Sequence, residues 1–142
     1  MPAVTGRRSP GLRAAFRADG SRRKAGDEHA KRLLAFQLRS HRQMDFVLEH
    51  RFEAERGGRS HRFDLAFVAE RLAIEVDGGI WIGGAHGSPR DIERNMRKGN
   101  SAVSRGWFVL HFTPRQVTSG DAALFVLRVL ASIRSGDLCA KS

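Results

Sequence analysis

Two neighbouring segments with strand-like alternation carry carboxylates that could act together. Asp64 lies in the middle of the largely apolar stretch 62–67, and Glu75 and Asp77 share one side of the stretch 72–77. A carboxylate among buried residues is costly unless a positive charge compensates it. A divalent cation supplies that charge, and carboxylate oxygens are the hard ligands that Mg²⁺ prefers. The two segments therefore predict a cation site between adjacent strands.

A purely structural role explains the same residues. Asp64 would pair with a buried arginine, such as Arg62 or Arg71, and Glu75 and Asp77 would form only the solvated side of their strand. Ion-pair networks of this kind also hold carboxylates in place. The acidic residues alone leave both interpretations open.

The charge of the chain favours a polyanionic partner. Its 142 residues carry 25 Lys and Arg against 15 Asp and Glu, which gives a formal net charge of +10 at pH 7. This is a large positive field for a chain the size of one domain. Hydrophobic residues make up 41% of the chain, which is enough for a packed core and excludes wholesale disorder.

Three further features exclude other classes of protein. No apolar run approaches the roughly 18 residues that a membrane-spanning helix needs, so we expect no contact with a membrane. The single Cys139 excludes an internal disulfide and a cysteine-based zinc site. Residues 1–11 hold no apolar stretch typical of a secretory signal, and we therefore expect a cytoplasmic protein.

Residues 1–26 have the composition of a basic, flexible arm. The segment holds seven Arg and Lys against one Asp, and glycines interrupt it. We expect it to stay mobile until it meets a phosphate backbone, ahead of a folded domain over residues 27–142. The basic residues expected to contact the backbone include Arg7, Arg8, Arg22, Arg23 and Lys24. A solubilising tail is the alternative for the same composition.

The first half of the domain has the pattern of one helix and three strands. Asp27 is a good N-cap for a helix whose apolar spacing continues to about Ser40. Alternating apolar residues predict strands over about 46–52, 61–68 and 72–77. The first two strands are expected to pair antiparallel across a glycine turn.

A loop and a helix follow the acidic strand. Five glycines between 78 and 87 predict the loop, and Ser88 followed by Pro89 is a helix-start signature. The helix should end at about Arg105. Its apolar residues form a thin stripe made of Ile92, Met96 and Val103.

The last two predicted elements are a strand over 107–112 and an amphipathic helix over 121–135. The predicted order of elements is therefore αβββαβα.

The stretch RFDLAFVAERLAIEVDGGIW resembles the PD-(D/E)xK nuclease superfamily, in which an Asp on one strand precedes Asp or Glu, any residue and Lys on the next. The continuation through HGSPRDIERNMRKGNSAVSRGWFVLHFTPRQV is similar to small bacterial and phage endonuclease-domain proteins related to very-short-patch-repair endonucleases. This resemblance covers about residues 27–135. It implies an α/β fold with a restriction-endonuclease-like αβββαβ core, a mixed four-stranded sheet flanked by helices, plus a C-terminal helix.

The resemblance implies an endonuclease that hydrolyses phosphodiester bonds of DNA with Mg²⁺ or Mn²⁺. Asp64, Glu75 and the backbone carbonyl of Val76 would bind the metal, which polarises the phosphate and lowers the pKa of a bound water. Asp77 stands where the superfamily has its lysine. It would instead face the metal beside Glu75.

Two helical residues would complete such a site. Some superfamily members supply the lysine from the following helix, and Lys98 is placed to neutralise charge on the phosphate from there. The alternative is a solvated lysine on an arginine-rich helix. Glu28 matches an acidic position that helps to hold the metal or its water. The alternative is a structural role for Glu28, in which the helix dipole favours its carboxylate near the N-terminus and the carboxylate pairs with Arg32.

The loop and helix after the acidic strand are expected to contact DNA. Trp81 could stack on a displaced base and His86 could donate to a phosphate. A Trp in the core and a His on the surface are the alternatives. The helical arginines expected to bind the backbone are Arg90, Arg94 and Arg97. The other histidines lack the spacing of a zinc site and receive no role.

Three functions remain open at this point. The leading hypothesis is a metal-dependent endonuclease of a bacterial or phage-infected cell, acting in repair or recombination on a junction, branch or mismatch. A non-catalytic nucleic-acid-binding protein is the alternative, because Asp77 replaces the lysine. A basic packaging protein explains the arm but not the carboxylates. One active site cuts one strand, so cutting of both strands would favour a homodimer.

Overall fold

Four strands and four helices make up the part of the chain that the computed structural model describes, residues 11–53, 61–78 and 88–138. In chain order they are α1 (Gly11–Ser40), β1 (Phe46–Glu53), β2 (His61–Phe67), β3 (Leu72–Val76), α2 (Pro89–Ser104), β4 (Phe108–Phe112), α3 (Pro114–Thr118) and α4 (Asp121–Ser135). The predicted order is confirmed, with the short α3 added after β4. The predicted glycine turn and glycine loop lie outside the described residues. None of the described helices is long and apolar enough to cross a membrane.

The strands form one mixed sheet in the order β1-β2-β3-β4. The first two pairs are antiparallel, as predicted for β1 and β2, and β3 pairs with β4 in parallel. A parallel pair needs a crossover connection, and α2 lies in that connection. The register places Glu75 opposite His111. The expected fold class, a mixed four-stranded sheet flanked by helices, is therefore confirmed.

The predicted start of the first helix at Asp27 is wrong. Helix α1 begins at Gly11, so Asp27 lies inside it and caps nothing. Once a helix is nucleated, each added residue gains a hydrogen bond, and the Ala, Leu, Arg and Lys of this segment are good helix formers. The backbone that carries Arg22, Arg23 and Lys24 is part of this helix. Arg7 and Arg8 lie outside the described residues, and the division into arm and domain stays a prediction.

The larger hydrophobic core lies between one face of the sheet and helices α1 and α4. Leu34 and Leu38 of α1 are completely buried there, and Leu130 of α4 is almost so. Phe67 and Ile74 bring the sheet's side of this core. The helical spacing of apolar residues predicted both helices, because each needs one broad face to bury.

Helix α2 packs on the opposite face of the sheet through very little apolar surface. Only Ala102 of this helix is fully buried. The predicted stripe is exposed, with side chains open to solvent by 41% at Ile92, 63% at Met96 and 66% at Val103. The residues that α2 turns toward the sheet include Lys98 instead. The stripe was a poor guide because a polar contact, not apolar burial, orients this helix.

Local capping signals of α2 are confirmed. The Ser88 hydroxyl accepts a hydrogen bond from the Asp91 backbone N–H, and Pro89 occupies the first helical turn. The helix ends before Gly106, whose φ of 79° is a left-handed value that glycine adopts without strain.

Candidate active site

Strand β2 changes faces at Asp64. Phe67 lies in the larger core and Phe63 in the smaller cluster beneath α2, although strict alternation would put both on one face. On β1, Glu49 lies opposite Asp64, between the pairs Leu48–Leu65 and His50–Phe63, and has a φ of 52°. Irregularities of this kind re-aim side chains at functional sites. The change of face brings two carboxylates to the point where α1 meets the sheet.

Asp64 joins β3 to α1. Its Oδ2 accepts a hydrogen bond of 2.8 Å from the Val76 backbone N–H, and its Oδ1 lies 2.9 Å from Lys31 Nζ. The two arginines considered as partners are engaged elsewhere: Arg62 lies 3.8 Å from Glu49, and Arg71 donates to a backbone carbonyl. The cation on Asp64 is therefore a lysine of the first helix.

Glu75 is buried beneath α2, with 8% of its surface exposed. Its Oε1 accepts a 2.7 Å hydrogen bond from Lys98 Nζ. Burial raises the pKa of Glu75 to about 7; Lys98 opposes this rise, while Asp64 and Asp77 add to it. The Lys98 side chain is 22% exposed and its ammonium also lies 5.6 Å from the Phe63 ring centre. Lys98 is thus a part-buried partner of Glu75 and not a solvated lysine.

Asp77 forms a hydrogen bond to His111 across the end of the sheet. Its Oδ2 lies 2.7 Å from His111 Nδ1 on β4, and its backbone N–H donates to the Phe112 carbonyl. The hydrogen bond with Asp77 raises the pKa of His111. Glu75, Asp77, Lys98 and His111 all line one small cavity beside α2. Asp77 therefore shares the surroundings of Glu75, as expected, with a histidine as its partner.

Helix α1 adds a charged cluster on the other side of Asp64. In addition to its contact with Asp64, Lys31 Nζ lies 3.1 Å from Glu28 Oε1 and 4.0 Å from Glu49 Oε1. Burial by itself would lower the pKa of Lys31, but its hydrogen bonds to Asp64 and Glu28 outweigh burial and raise the pKa above the usual value. The partner of Glu28 is thus Lys31, and not Arg32, which was the alternative considered for it.

Asp27 belongs to the same cluster. A Cβ added at Gly78 would lie 1.7 Å from Asp27 Oδ1, so a larger residue at the end of β3 would require the Asp27 carboxylate to move. Burial raises the pKa of Asp27; Lys31 opposes the rise, and the nearby carboxylates of Asp77, Asp64 and Glu28 add to it. The close approach places α1 directly against the acidic end of the sheet.

The structure brings five of the predicted site residues into this region: Glu28, Asp64, Glu75, Asp77 and Lys98. Val76 contributes its backbone N–H to Asp64. The arginines of α2 stay on its outer side, where Arg94 lies near Asp91, Arg97 pairs with Glu93, and Arg90 is exposed. Trp81 and His86 lie outside the described residues.

Four residues of the region were missed by sequence reasoning: Asp27, Lys31, Glu49 and His111. Asp27 was interpreted as a helix cap, and His111 received no role. A weak signal existed for Lys31, which follows Glu28 by three residues and so shares its helix face. Nothing in the sequence indicates that β4 pairs with β3 in the register that sets His111 opposite Glu75.

The donor chemistry of the site suits a hard divalent cation. Asp64 and Glu75 offer carboxylate oxygens, and the ammonium groups of Lys31 and Lys98 show that both positions attract positive charge. Among the described residues, no group of three or more His, Cys, Asp or Glu is arranged to hold a metal ion. Mg²⁺ usually keeps several waters and takes only one or two carboxylates, so the pair fits its needs.

No family model and no curated protein matches the sequence. Among solved structures, the chain is similar to the "Homing Endonuclease I-Bth0305I Catalytic Domain", with a TM-score of 0.51 and 17% identity. The match covers 78% of this chain and 97% of that one. At this identity the likeness shows a shared fold, that of a nuclease catalytic domain. The narrower resemblance to the PD-(D/E)xK superfamily and to very-short-patch-repair endonucleases stays a prediction.

Proposed function

We propose that the protein is a metal-dependent endonuclease that hydrolyses phosphodiester bonds of DNA. The observation that carries this proposal is the placement of Asp64 and Glu75 on two adjacent strands, with Lys98 Nζ 2.7 Å from Glu75. Two carboxylates and a lysine are the ligands and the charge-neutralising donor that metal-assisted phosphodiester hydrolysis requires. The fold shared with a homing endonuclease catalytic domain supports the same function.

The metal in this proposal is Mg²⁺ or Mn²⁺. Asp64, Glu75 and the carbonyl of Val76 would hold it, and Asp77 lines a cavity together with Glu75. Once bound, the metal would polarise the phosphate and lower the pKa of a water. Glu75 has to be ionised for this role, so its raised pKa makes metal binding stronger above about pH 7.

Lys98 has the role of the lysine that the superfamily carries two residues after its glutamate. Its ammonium lies over the Phe63 ring and its side chain is part-buried, which holds the charge at one place in the cavity. From there it would donate to a phosphate oxygen as negative charge develops. His111 holds the Asp77 carboxylate by their hydrogen bond and so keeps it beside Glu75. Glu28 would act from α1, through its contact with Lys31.

DNA is the partner that the charge of the chain favours. The exposed side of α2 carries Arg90, Arg94 and Arg97, which would contact the phosphate backbone. The basic residues before residue 26, with Trp81 and His86 of the glycine loop, would add contacts there. Phosphate contacts position the protein without reading sequence. The substrates that we propose are DNA junctions, branches and mismatches, and the compartment is the cytoplasm. A homodimer, with one active site for each strand, would cut both strands.

A non-catalytic DNA-binding protein is the second candidate. The observation that favours it is that each of the two central carboxylates already has a close lysine partner, Lys31 on Asp64 and Lys98 on Glu75. Such paired charges stabilise a fold without doing chemistry.

A cleavage assay separates the two candidates. We expect the wild type to cut plasmid or branched DNA with Mg²⁺ or Mn²⁺ and to stop when a chelator is added. Asp64→Ala and Glu75→Ala should each abolish cleavage and leave DNA binding intact, because phosphate contacts dominate affinity. Glu93→Ala, which removes an exposed carboxylate of α2, is the matched control and should cut normally.

Near wild-type cleavage by either Asp64→Ala or Glu75→Ala would contradict the assigned site. Firm DNA binding with no cleavage of any substrate, with either metal, would establish the binding-only function instead.

A further inference from the structure

Lys31 is the most heavily shared charge of the site. Its ammonium is held by Asp64 of β2 at 2.9 Å and by Glu28 of α1 at 3.1 Å, with Glu49 of β1 at 4.0 Å. Carboxylates from three elements thus converge on one cation. The Lys31 side chain is 20% exposed, so water screens these contacts only in part.

The two lysines of the site stand in different relations to a metal. Lys98 donates to one oxygen of Glu75 from the α2 side, where both residues line the same cavity. Lys31 is bonded to Oδ1 of Asp64, while Oδ2 accepts the Val76 N–H. Both oxygens of Asp64 therefore already have a partner, and Oδ1 is held by a positive charge.

A divalent ion on Asp64 would meet the Lys31 ammonium at the same carboxylate. Two cations at bonding distance from one oxygen repel each other strongly in a part-buried site. We propose that Lys31 is the internal counter-ion of Asp64 and Glu28, which the divalent metal must displace, and that it thereby sets the metal concentration at which the site fills. This inference rests on the proposed function and adds a control of metal affinity to it.

Removal of the Lys31 charge should strengthen metal binding. The Lys31 ammonium lies 2.9 Å from Asp64 Oδ1 and repels a metal ion that approaches the same oxygen. The Kd for Mn²⁺ should therefore fall about ten-fold or more in Lys31→Gln. The metal-free variant should be less stable than the wild type, because Asp64 and Glu28 lose their counter-ion.

The test is a calorimetric titration of the full chain with Mn²⁺ in the absence of DNA. Arg32→Gln is the matched control, since it removes one positive charge from the next residue of the same helix. Arg32 and Lys31 line one pocket together with Glu28 and Asp64. We expect it to change the Kd by less than about three-fold, because a solvent-exposed charge is well screened. Lys31→Arg keeps the charge and should bind Mn²⁺ like the wild type. Lys31→Met, which keeps the apolar stem, should repeat the result of Lys31→Gln and serves if that variant does not fold.

Thermal unfolding gives a second readout. Mn²⁺ should raise the Tm of Lys31→Gln by more than it raises the Tm of the wild type, because tighter binding stabilises the folded state more.

An unchanged Kd in Lys31→Gln and Lys31→Met, or an equal change in Arg32→Gln, would overturn the inference and leave the proposed function standing if the wild type binds Mn²⁺ and cuts DNA. Absence of Mn²⁺ binding in the wild type and in every variant would overturn both.

Discussion

The two faces of the sheet are built from different kinds of contact. Against α1 and α4, the sheet buries large apolar side chains such as Leu34, Leu38 and Phe67. Against α2 it buries a small cluster, to which that helix contributes Ala102, and Lys98 of the same helix forms an ion pair with Glu75. The first face carries most of the apolar burial, which leaves the second free to hold charged groups whose burial is costly.

The largest effect on stability should come from the apolar face. Leu34 is completely buried between α1 and the sheet, so Leu34→Ala should lower the free energy of unfolding by about 2–5 kcal/mol. Met96, on the outer side of α2, is 63% exposed, and Met96→Ala should change it by less than about 0.5 kcal/mol. Urea unfolding of both variants measures the difference. Equal losses would mean that α2 carries as much of the core as α1.

On the charged face, the largest effect should be on catalysis. Lys98→Ala should lower the single-turnover cleavage rate about 100-fold, in line with the loss of one transition-state donor, and leave Mn²⁺ affinity nearly unchanged. Arg97→Ala is the control for Lys98→Ala, because Arg97 directly precedes Lys98 on the same helix and 70% of its side chain is exposed. That variant should change DNA binding but not the chemical step. A wild-type rate in Lys98→Ala would remove Lys98 from the active site.

The smallest effect should be a pH dependence that distinguishes the two faces. Since the folded protein raises the pKa of Glu75 from 4.5 to about 7, it holds this proton more tightly than the unfolded chain. The resulting stabilisation is complete below pH 4.5 and is lost as the pH rises through about 7. Wild-type stability should therefore fall between about pH 5 and pH 8 by more than that of Glu75→Gln.

Urea unfolding at the two pH values measures this change, and the difference between wild type and variant isolates the contribution of Glu75 from that of the other titrating groups. Leu34→Ala, a change on the apolar face, should keep the wild-type pH dependence. An identical fall in wild type and Glu75→Gln would show that Glu75 is not the buried acid responsible.

Helix α2 shows which features of a helix the sequence predicts and which it does not. Its start at Ser88 and its end before Gly106 follow from local capping chemistry and were predicted. Its orientation was not, because Ile92, Met96 and Val103 form a stripe that lies on the solvent side. A thin apolar stripe does not predict the orientation of a helix when a buried ion pair with a strand from another part of the chain determines that orientation.

The carboxylates illustrate the same division. Asp64 and Glu75 were predicted to lie side by side, because the alternation of apolar residues predicts a strand around each of them and the two strands follow each other in the chain. The change of face at Asp64 was not predicted, since a left-handed φ at Glu49 leaves no mark on the residue types of the strand.

The elements, their order and the acidic strands thus follow from the sequence, because hydrophobic spacing and capping act between residues that are close along the chain. The partners of the charged groups follow only from the folded chain. Many of its 25 Lys and Arg could have neutralised Asp64, Glu75 or Glu28. The packing of α1 and α2 at one end of the sheet selects Lys31 and Lys98, because an ion pair needs contact within about 4 Å and contact between distant segments is a property of the tertiary structure.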